Sequence, residues 1–454
     1  LPARTPLLKE NEVLFNEKEA RSICEKLLGY VKADDAVVRV GSEEYSHLRF
    51  AANAMTTSGR REDTEVGVTV WIDKKRGAAS TNEIDDASLR AVVEQAEALA
   101  RVSPVDREYL PSLKSQTYKP TAGFVAATMN IPTAGRAKTI GEIIALCERS
   151  KVVGAGFHQA RGEASASATK NGNFNFERAS NVSLSVTART PDGTGSGYFQ
   201  RDHFDAAQFD PLRIARESIQ KSLGSRQPRQ LDPGVYTVIL EPQAVGDLFN
   251  LGFDARSAEE GRSSFSAPGG KTRIGEKLFA EQLHIYSDPW HPQLPASSSA
   301  QAGIPAQKIY MVKNGVLETL VYSRFWAEQK GKQPTPGPVN LIIESAGPTQ
   351  SLEEMIKTTE RGLLVSHFWY IRSVDPRTAL FTGLTRDGVW LIESGKIQHP
   401  ANNFRFNQSI LQMLAPGNLL AIGKPERIGT GDGASLLPAL KVKEFNFTSK
   451  SEAV

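Results

Sequence analysis

The spacing of apolar residues predicts two small mixed units in the first half of the chain. Apolar positions recur at helical spacing over 17–31 and 87–100, and four short apolar runs between them are typical of strands. We therefore expect an N-terminal α+β domain over residues 1–105. The stretch 106–122 is rich in Pro and Ser, which favour loops, and it predicts a linker.

The same pattern recurs over residues 123–228. Helical spacing over 137–150 and 210–223 encloses strand-like runs at 152–160, 163–169 and 182–190. Asn171-Gly172 predicts a hairpin turn, because both residues tolerate the positive φ that such turns require. We expect a middle α+β domain here.

Residues 229–454 predict a large, mostly β C-terminal domain. The β-branched run Val235 to Leu240 predicts a strand, and an amphipathic helix is expected from about Ala244 to Ser257. Further apolar runs are separated by turn dipeptides such as Asn314-Gly315. The fold class expected for the whole chain is α+β, with small N-terminal α/β units followed by this mostly β domain.

Composition excludes several classes of protein. The net charge of +3 is small for 454 residues and is not concentrated in one region, which argues against nucleic-acid binding. No apolar run approaches the roughly 18 residues that cross a membrane. Cys24 and Cys147 are the only cysteines, so we expect a reducing, cytoplasmic location. We interpret the first four residues, Leu-Pro-Ala-Arg, as a processing remnant outside the fold.

No short motif indicates a catalytic centre. None of the seven His has the i, i+4 spacing of a zinc-binding H-E-x-x-H motif, and no G-x-S-x-G occurs. The Gly-rich runs 193–197 and 429–433 lie between predicted strands instead of before a helix, so they do not predict phosphate loops. A metal-independent enzyme would have to use the acidic side chains around the predicted helix, which are Asp247, Asp254, Glu259 and Glu260.

Two aromatic patches predict a surface for an extended peptide. Strand alternation over 362–377 would place His367, Trp369 and Ile371 on one face and Phe368, Tyr370 and Arg372 on the other. A similar patch surrounds Tyr322. Extended peptides pair with strand edges that have aromatic-lined pockets, although a plain core strand fits the pattern equally well. The candidate peptide or partner contacts are Arg324, Trp326, His367, Trp369 and Arg372.

Several longer stretches resemble the TldD/PmbA family of peptidase-related proteins. In the C-terminal half these are PGVYTVILEP (233–242), EEGRSSFSAPGGKTRIGEKLF (259–279), VKNGVLETLVYSRFWA (312–327) and the long block 361–410. GVTVWIDKKRGAASTN (67–82) and the run 138–223 resemble the first and middle domains of the family. The resemblance covers nearly the whole chain, in order.

The resemblance implies a two-subunit metallopeptidase that takes short or unfolded peptides into an enclosed cavity. One type of subunit carries His-Glu-x-x-x-His and a further Cys ligand, and the other has the same fold without the ligands. The family's His, Glu and second His fall at about Asn250, Leu251 and Ala255. The C-terminal ligand region offers only Thr430 and Asp432.

The chain is therefore identified as a member of the metal-free, TldE/PmbA-like branch. The resemblance implies that it has no catalytic residue or cofactor of its own and supports a TldD-like partner that carries a divalent metal, zinc. The alternative is a free-standing homodimeric protein that binds peptides or acts as a scaffold, without peptidase activity.

Overall fold

The computed structural model describes residues 13–430 and 433–451. The predicted remnant at residues 1–4, Asp432 and the side chain of Thr430 lie outside the part of the chain that the structure describes. Within it, no helix is long and apolar enough to cross a membrane. The mixed helix and strand content, with a strand-rich C-terminal half, confirms the predicted fold class.

The first half consists of long strands and covering helices. Its helices are α1 (Glu17–Tyr30), α2 (Asp86–Val102), α3 (Ala126–Met129), α4 (Thr133–Arg149) and α5 (Pro211–Gly224). Its strands are β1 (Asp35–Ala51), β2 (Ala54–Ile72), β3 (Lys75–Thr81), β4 (Val153–Thr169), β5 (Phe174–Arg189) and β6 (Ser196–His203). Side-chain caps fix three of these helix starts, because Asn16 accepts the Glu19 N–H of α1, Asp85 accepts N–H bonds at the start of α2, and Asp210 accepts the Arg213 N–H of α5.

All six of these strands form one antiparallel sheet in the order β3-β2-β1-β4-β5-β6. The central pair, β1 and β4, stays in register from Val37↔Thr169 to Phe50↔Gly156. The two predicted α+β domains therefore contribute strands to one sheet. Along the chain, the predicted linker lies between the strands β1–β3 and the strands β4–β6. The boundaries at 105 and 123 stay a prediction.

The separate strands predicted within β1 are one continuous strand. The sequence predicts strands at 36–40 and 46–53, but Ser42 and Glu44 between them have buried side chains and the strand does not break there. Helices α1 and α2 cover the β1–β3 end of the sheet, while α4 and α5 cover the other end. Helix α5 lies so close to β6 that a Cβ on Gly197 would be 2.2 Å from the Ser218 carbonyl oxygen. Only glycine fits there.

The described residues of the second half contain fifteen further strands, most of them short. They are β7 (Gly234–Leu240), β8 (Ser266–Ala267), β9 (Lys271–Thr272), β10 (Leu283–Ser287), β11 (Ile309–Lys313), β12 (Val316–Leu317), β13 (Leu341–Ser345), β14 (Arg361–Asp375), β15 (Leu380–Glu393), β16 (Lys396–Pro400), β17 (Asn403–Ser409), β18 (Leu419–Ile422), β19 (Glu426–Thr430), β20 (Gly433–Leu437) and β21 (Leu440–Ser451). Its helices are α6 (Pro242–Leu248), α7 (Ala255–Glu259), α8 (Arg324–Gln329), α9 (Leu352–Lys357) and α10 (Ile410–Met413).

Five of these strands form a closed circuit of pairings. The order is β14-β7-β21-β17-β15, and β15 pairs back onto β14. Apolar side chains fill the interior, including Phe368, Phe406 and Phe445, whose ring centroids lie 4.8 to 5.7 Å apart. A second sheet, β12-β11-β10-β13-β20-β19, lies beside the circuit. Helix α6 packs against β14, β19 and β20, so it lies between the two sheets.

Candidate functional site

The segment after β7 forms two short helices, so the single helix predicted over Ala244 to Ser257 is wrong. Helix α6 ends at Leu248, and α7 starts at Ala255 after Asp254, whose carboxylate accepts the Ser257 N–H at 2.7 Å. Between them, the Phe253 carbonyl accepts the Val321 N–H at 2.7 Å, and the Ala255 N–H donates to the Val321 carbonyl at 3.0 Å. Because these backbone groups bond across to residue 321, they cannot continue a helix.

The positions at which the family resemblance implies metal ligands carry no such side chains here. Asn250 is exposed, Leu251 packs against the hydrophobic core, and Ala255 is buried. An exposed amide and two alkyl groups do not fit a zinc ion, which takes imidazole, thiolate or carboxylate ligands. In residues 13–430 and 433–451, no three His, Cys, Asp or Glu side chains group so that they could hold a metal.

The structure instead brings together a buried polar cluster around His367. The Nδ1 of this imidazole lies 2.6 Å from Oδ2 of Asp247, on α6, and its Nε2 lies 4.0 Å from Oδ2 of Asp387, on β15. The Tyr198 ring, from β6, stacks on it at 4.7 Å, and the Ser196 hydroxyl donates to Asp387. The cluster therefore connects the N-terminal sheet to the C-terminal domain.

The electrostatics of this cluster favour a protonated imidazole. Burial lowers the pKa of His367, but Asp247 and Asp387 raise it by more, so that the pKa is raised above its ordinary value. Burial and the same carboxylates also raise the pKa of the Tyr198 hydroxyl. Only 9% of the His367 side chain is exposed. His367 thus lies inside the protein and not on the peptide-facing surface for which it was predicted.

The predicted alternation along β14 is wrong, because bulges interrupt it. The register with β15 shifts between Val365 and His367 and again between Trp369 and Arg372, and Tyr370 has a φ of 56°. His367 and Phe368 are consequently both buried, whereas Trp369 and Tyr370 are 45% and 64% exposed. A bulge offsets the two-residue period that assigns side chains to faces.

The outer half of β14 has one unpaired edge. The strand pairs with β7 only from Gly362 to Val365, and beyond that, among the described residues, it pairs with β15 alone. Exposed aromatic side chains follow this edge, with the Arg386 guanidinium 5.0 Å from the Trp369 ring. Arg372 is exposed beside Tyr370. The segment offers backbone groups and aromatic surface to an extended chain.

Arg324 and Trp326 lie on α8 and not on a strand, so no strand edge is available there. The Arg324 guanidinium donates to the Pro111 carbonyl at 2.7 Å, and the Trp326 indole donates to Glu259 at 2.8 Å. Burial raises the pKa of Glu259, but hydrogen bonds from Tyr322, Trp326 and Lys332 lower it by more. Arg324 thus bonds the segment that precedes α3, and Trp326 bonds α7.

The four acidic residues considered for metal-independent catalysis do not converge. Asp247 bonds His367, Asp254 caps α7, and Glu259 bonds Trp326. Glu260 pairs with Arg256 and Arg262 on the surface. Each acid is therefore committed to a separate structural contact.

The Asp247–His367 pair could not be predicted from either segment alone. The two residues are 120 positions apart, and Asp387 and Tyr198 come from other strands. The only signal in the sequence is a histidine within an apolar strand, which needs a polar partner when buried.

Comparison with known proteins gives matches over most of the chain. Residues 233–449 match the family described as PmbA/TldA metallopeptidase C-terminal domain, and residues 36–100 match domain 1 of the same metallopeptidases. A metalloprotease PmbA homolog of Haemophilus influenzae is 22% identical over 96% of this chain and 98% of its own length. A metalloprotease of Methanothermobacter thermautotrophicus is 24% identical over 55% of this chain and 58% of its own length.

Two solved structures share the fold. The crystal structure of TldE from Thermococcus kodakarensis superimposes with a TM-score of 0.82 at 17% identity, over 94% of this chain and 99% of that one. A Thermotoga maritima protein described as a putative modulator of a DNA gyrase gives the same score and identity, over 94% of this chain and 100% of its own.

Proposed function

This chain belongs to the PmbA/TldD family of metallopeptidases, and we propose that it is a metal-free subunit of a two-component peptidase in that family. In this role it forms part of the wall of a cavity that takes short or unfolded peptides. A TldD-like partner supplies the divalent metal, zinc, and the catalytic groups. The two separate cysteines support a cytoplasmic location.

The observation that carries the proposal is the chemistry of the interrupted helix. In His-Glu-x-x-x-His the ligands and the general base are held in one helical segment, whereas Asn250 and Leu251 lie in the irregular connection before α7. Asn250 is a poor zinc ligand, Leu251 and Ala255 have no donor atom, and no general base stands at the position of the Glu. The last cysteine is Cys147, on α4, so a thiolate ligand near the C-terminus is also missing from the sequence.

The open edge of β14 supports the peptide-binding part of the proposal. Backbone pairing accepts many sequences, because it uses N–H and C=O groups that every residue carries. Trp369 and Arg372 are the side chains that we propose to contact an extended peptide or the partner. Arg324 and Trp326 stay as proposed partner contacts on α8, although both already make intramolecular bonds.

A second candidate function is a homodimeric peptide-binding or scaffold protein without a peptidase partner. The same exposed edge favours it, since two copies could pair there across a two-fold axis. A metal-independent enzyme is less well supported, because the four candidate acids lie in separate contacts.

Co-expression with a relative that carries His-Glu-x-x-x-His tests the proposal. We expect the two chains to co-purify, with metal bound in the relative, and to cleave an unstructured fluorogenic peptide in a chelator-sensitive way. The chain alone should hold less than stoichiometric metal and should not cleave the peptide. Stoichiometric metal and chelator-sensitive cleavage by the chain alone would refute the proposal.

The homodimer is distinguished by the oligomeric state. A stable dimer of this chain that does not bind the ligand-complete relative would favour the scaffold function. Trp369→Ala should weaken peptide binding in either case, while Val235→Ala, at an exposed apolar position of β7, serves as the matched control.

A further inference from the structure

The first turn of α4 carries an arginine that is buried against the N-terminal sheet. Arg136 is only 3% exposed, and α4 packs on β1 and β4. Its guanidinium makes one long hydrogen bond, from Nη2 to the Thr133 hydroxyl at 3.4 Å, while Nε and Nη1 have no hydrogen-bond partner among the described residues. Arginine is almost never buried in this way without a partner. Three N–H groups of a cation therefore lie away from water without an acceptor.

His158, on β4, has the same property. It is 3% exposed, and its Nδ1 has no hydrogen-bond partner in the part of the chain that the structure describes. Burial and the charge of Arg136 lower the pKa of His158 to about 4, so the two side chains are close and the imidazole is uncharged at neutral pH. With its hydrogen on Nδ1, a neutral imidazole is a donor. Two buried side chains thus offer N–H groups to one region.

No carboxylate bonds the free nitrogens of Arg136. Burial lowers the pKa of this guanidinium, and the charge of Glu44, on β1, opposes that effect. Glu44 itself bonds the Arg60 guanidinium at 2.9 Å. Helix α4 adds the positive end of its dipole, because its first turn has no acidic residue and Pro132, at the N-cap, provides no side-chain oxygen. The region is therefore suited to a negative charge that the described residues do not supply.

We propose that Arg136 and His158 bind a small monovalent anion of the size of chloride beneath the first turn of α4. The anion would accept the N–H groups of Arg136 Nε and Nη1 and of His158 Nδ1. It has to be small, because these nitrogen atoms have almost no contact with solvent and the next turns of α4 bury apolar Ile140 and Ile143. A buried water molecule could accept the same hydrogen bonds but could not supply the charge. The inference goes beyond the proposed function, since it involves no peptide, metal or partner.

Crystals of the full chain grown with sodium bromide test the proposal directly. Bromide replaces chloride in such sites and is identified by its anomalous scattering. We expect an anomalous peak between the Arg136 guanidinium and the His158 imidazole. Bromide peaks confined to the surface, with this position empty or holding water, would overturn the proposal.

The stability of the protein in chloride is a second, independent readout. Thermal unfolding is measured at neutral pH and constant ionic strength, with chloride replacing gluconate, an anion too large for the site. The melting temperature should rise by about 3 °C up to about 0.3 M chloride and should saturate, with a midpoint on the order of 10 mM. A merely screening effect of salt would not distinguish the two anions.

Variants assign the effect to these residues. Arg136→Met should abolish the difference between chloride and gluconate, and His158→Leu should raise the midpoint about tenfold, the usual loss for a hydrogen bond to a charged group. Lys138→Met removes an exposed cation from the same helix and should respond to chloride like the original chain.

An equal response to chloride in Arg136→Met and the original chain would overturn the proposal, as would a response that does not saturate. If Arg136→Met does not fold, the bromide map of the original chain still decides. The peptidase test and these measurements can fail independently, since neither readout uses a partner or a metal.

Discussion

The substitution Asp247→Asn should destabilise the protein through the buried cluster around His367, and the loss should depend on pH. One carboxylate oxygen of Asp247 lies 2.6 Å from Nδ1 of His367 and accepts the Phe368 N–H at 2.9 Å. The other accepts the Gln243 amide at 2.9 Å. Asparagine keeps the shape of the side chain and removes its charge, so that a buried imidazolium loses its nearest counter-ion.

The magnitude follows from the protonation of His367. Removal of one partner from a buried ion pair costs about 3–5 kcal/mol, and we expect about 3 kcal/mol here at pH 6, because Asp387 remains nearby. The folded-state pKa of His367 is raised, so the contribution is complete below the ordinary value of 6.5 and is lost as the pH rises through the folded-state pKa. The cost of the substitution should therefore be smaller at pH 8 than at pH 6.

Urea unfolding at the two pH values, followed by tryptophan fluorescence and circular dichroism, measures the free energy of unfolding. Each variant is compared with the original chain at the same pH, so that titration of other groups cancels. The control is Asp232→Asn, which removes a surface ion pair with Lys450 and should cost less than about 1 kcal/mol. An unchanged stability, or a loss that is identical at pH 6 and pH 8, would refute this account of the cluster.

Three further predictions concern other parts of the fold. Burial, together with a nearby arginine, lowers the pKa of His158 to about 4, so the free energy of unfolding should fall by about 3 kcal/mol as the pH drops from 6.5 to 4. Urea unfolding of His158→Gln at pH 5 and 7 should show a weaker dependence of stability on pH than the original chain. Gly197→Ala should cost about 1–3 kcal/mol by calorimetry because α5 must move, whereas Gly135→Ala, with free space around it in α4, should cost nothing. Glu259→Ala should cost about 1–3 kcal/mol and change the Trp326 fluorescence, because the indole N–H loses its acceptor, and unchanged emission would contradict the hydrogen bond.

The sequence predicts helices of the first half well, because their apolar stripes are regular. Helix α2 was expected over 87–100 and spans Asp86–Val102, and α5 was expected over 210–223 and spans Pro211–Gly224. In these elements, local pattern and tertiary packing agree, so the periodicity of one segment is sufficient.

The candidate site was less predictable, because contacts distant in sequence determine it. The break between α6 and α7 depends on backbone bonds to Val321, which no local pattern reveals. The exposure of Trp369 and Tyr370 depends on bulges relative to β15. Similarly, polar residues within β1 interrupt the apolar pattern, so the sequence predicts two strands there. The structure has one strand, because β4 pairs along most of its length.

The pairing of β1 with β4 also determines the order in which the chain can fold during synthesis. Val37 pairs with Thr169, so the partner of β1 leaves the ribosome about 130 residues later, which takes roughly 10 s at typical translation rates. Throughout this interval the β1–β2 hairpin exposes a 17-residue edge that can pair with other chains. We therefore expect slower elongation through residues 103–152 to increase aggregation of the first third of the protein.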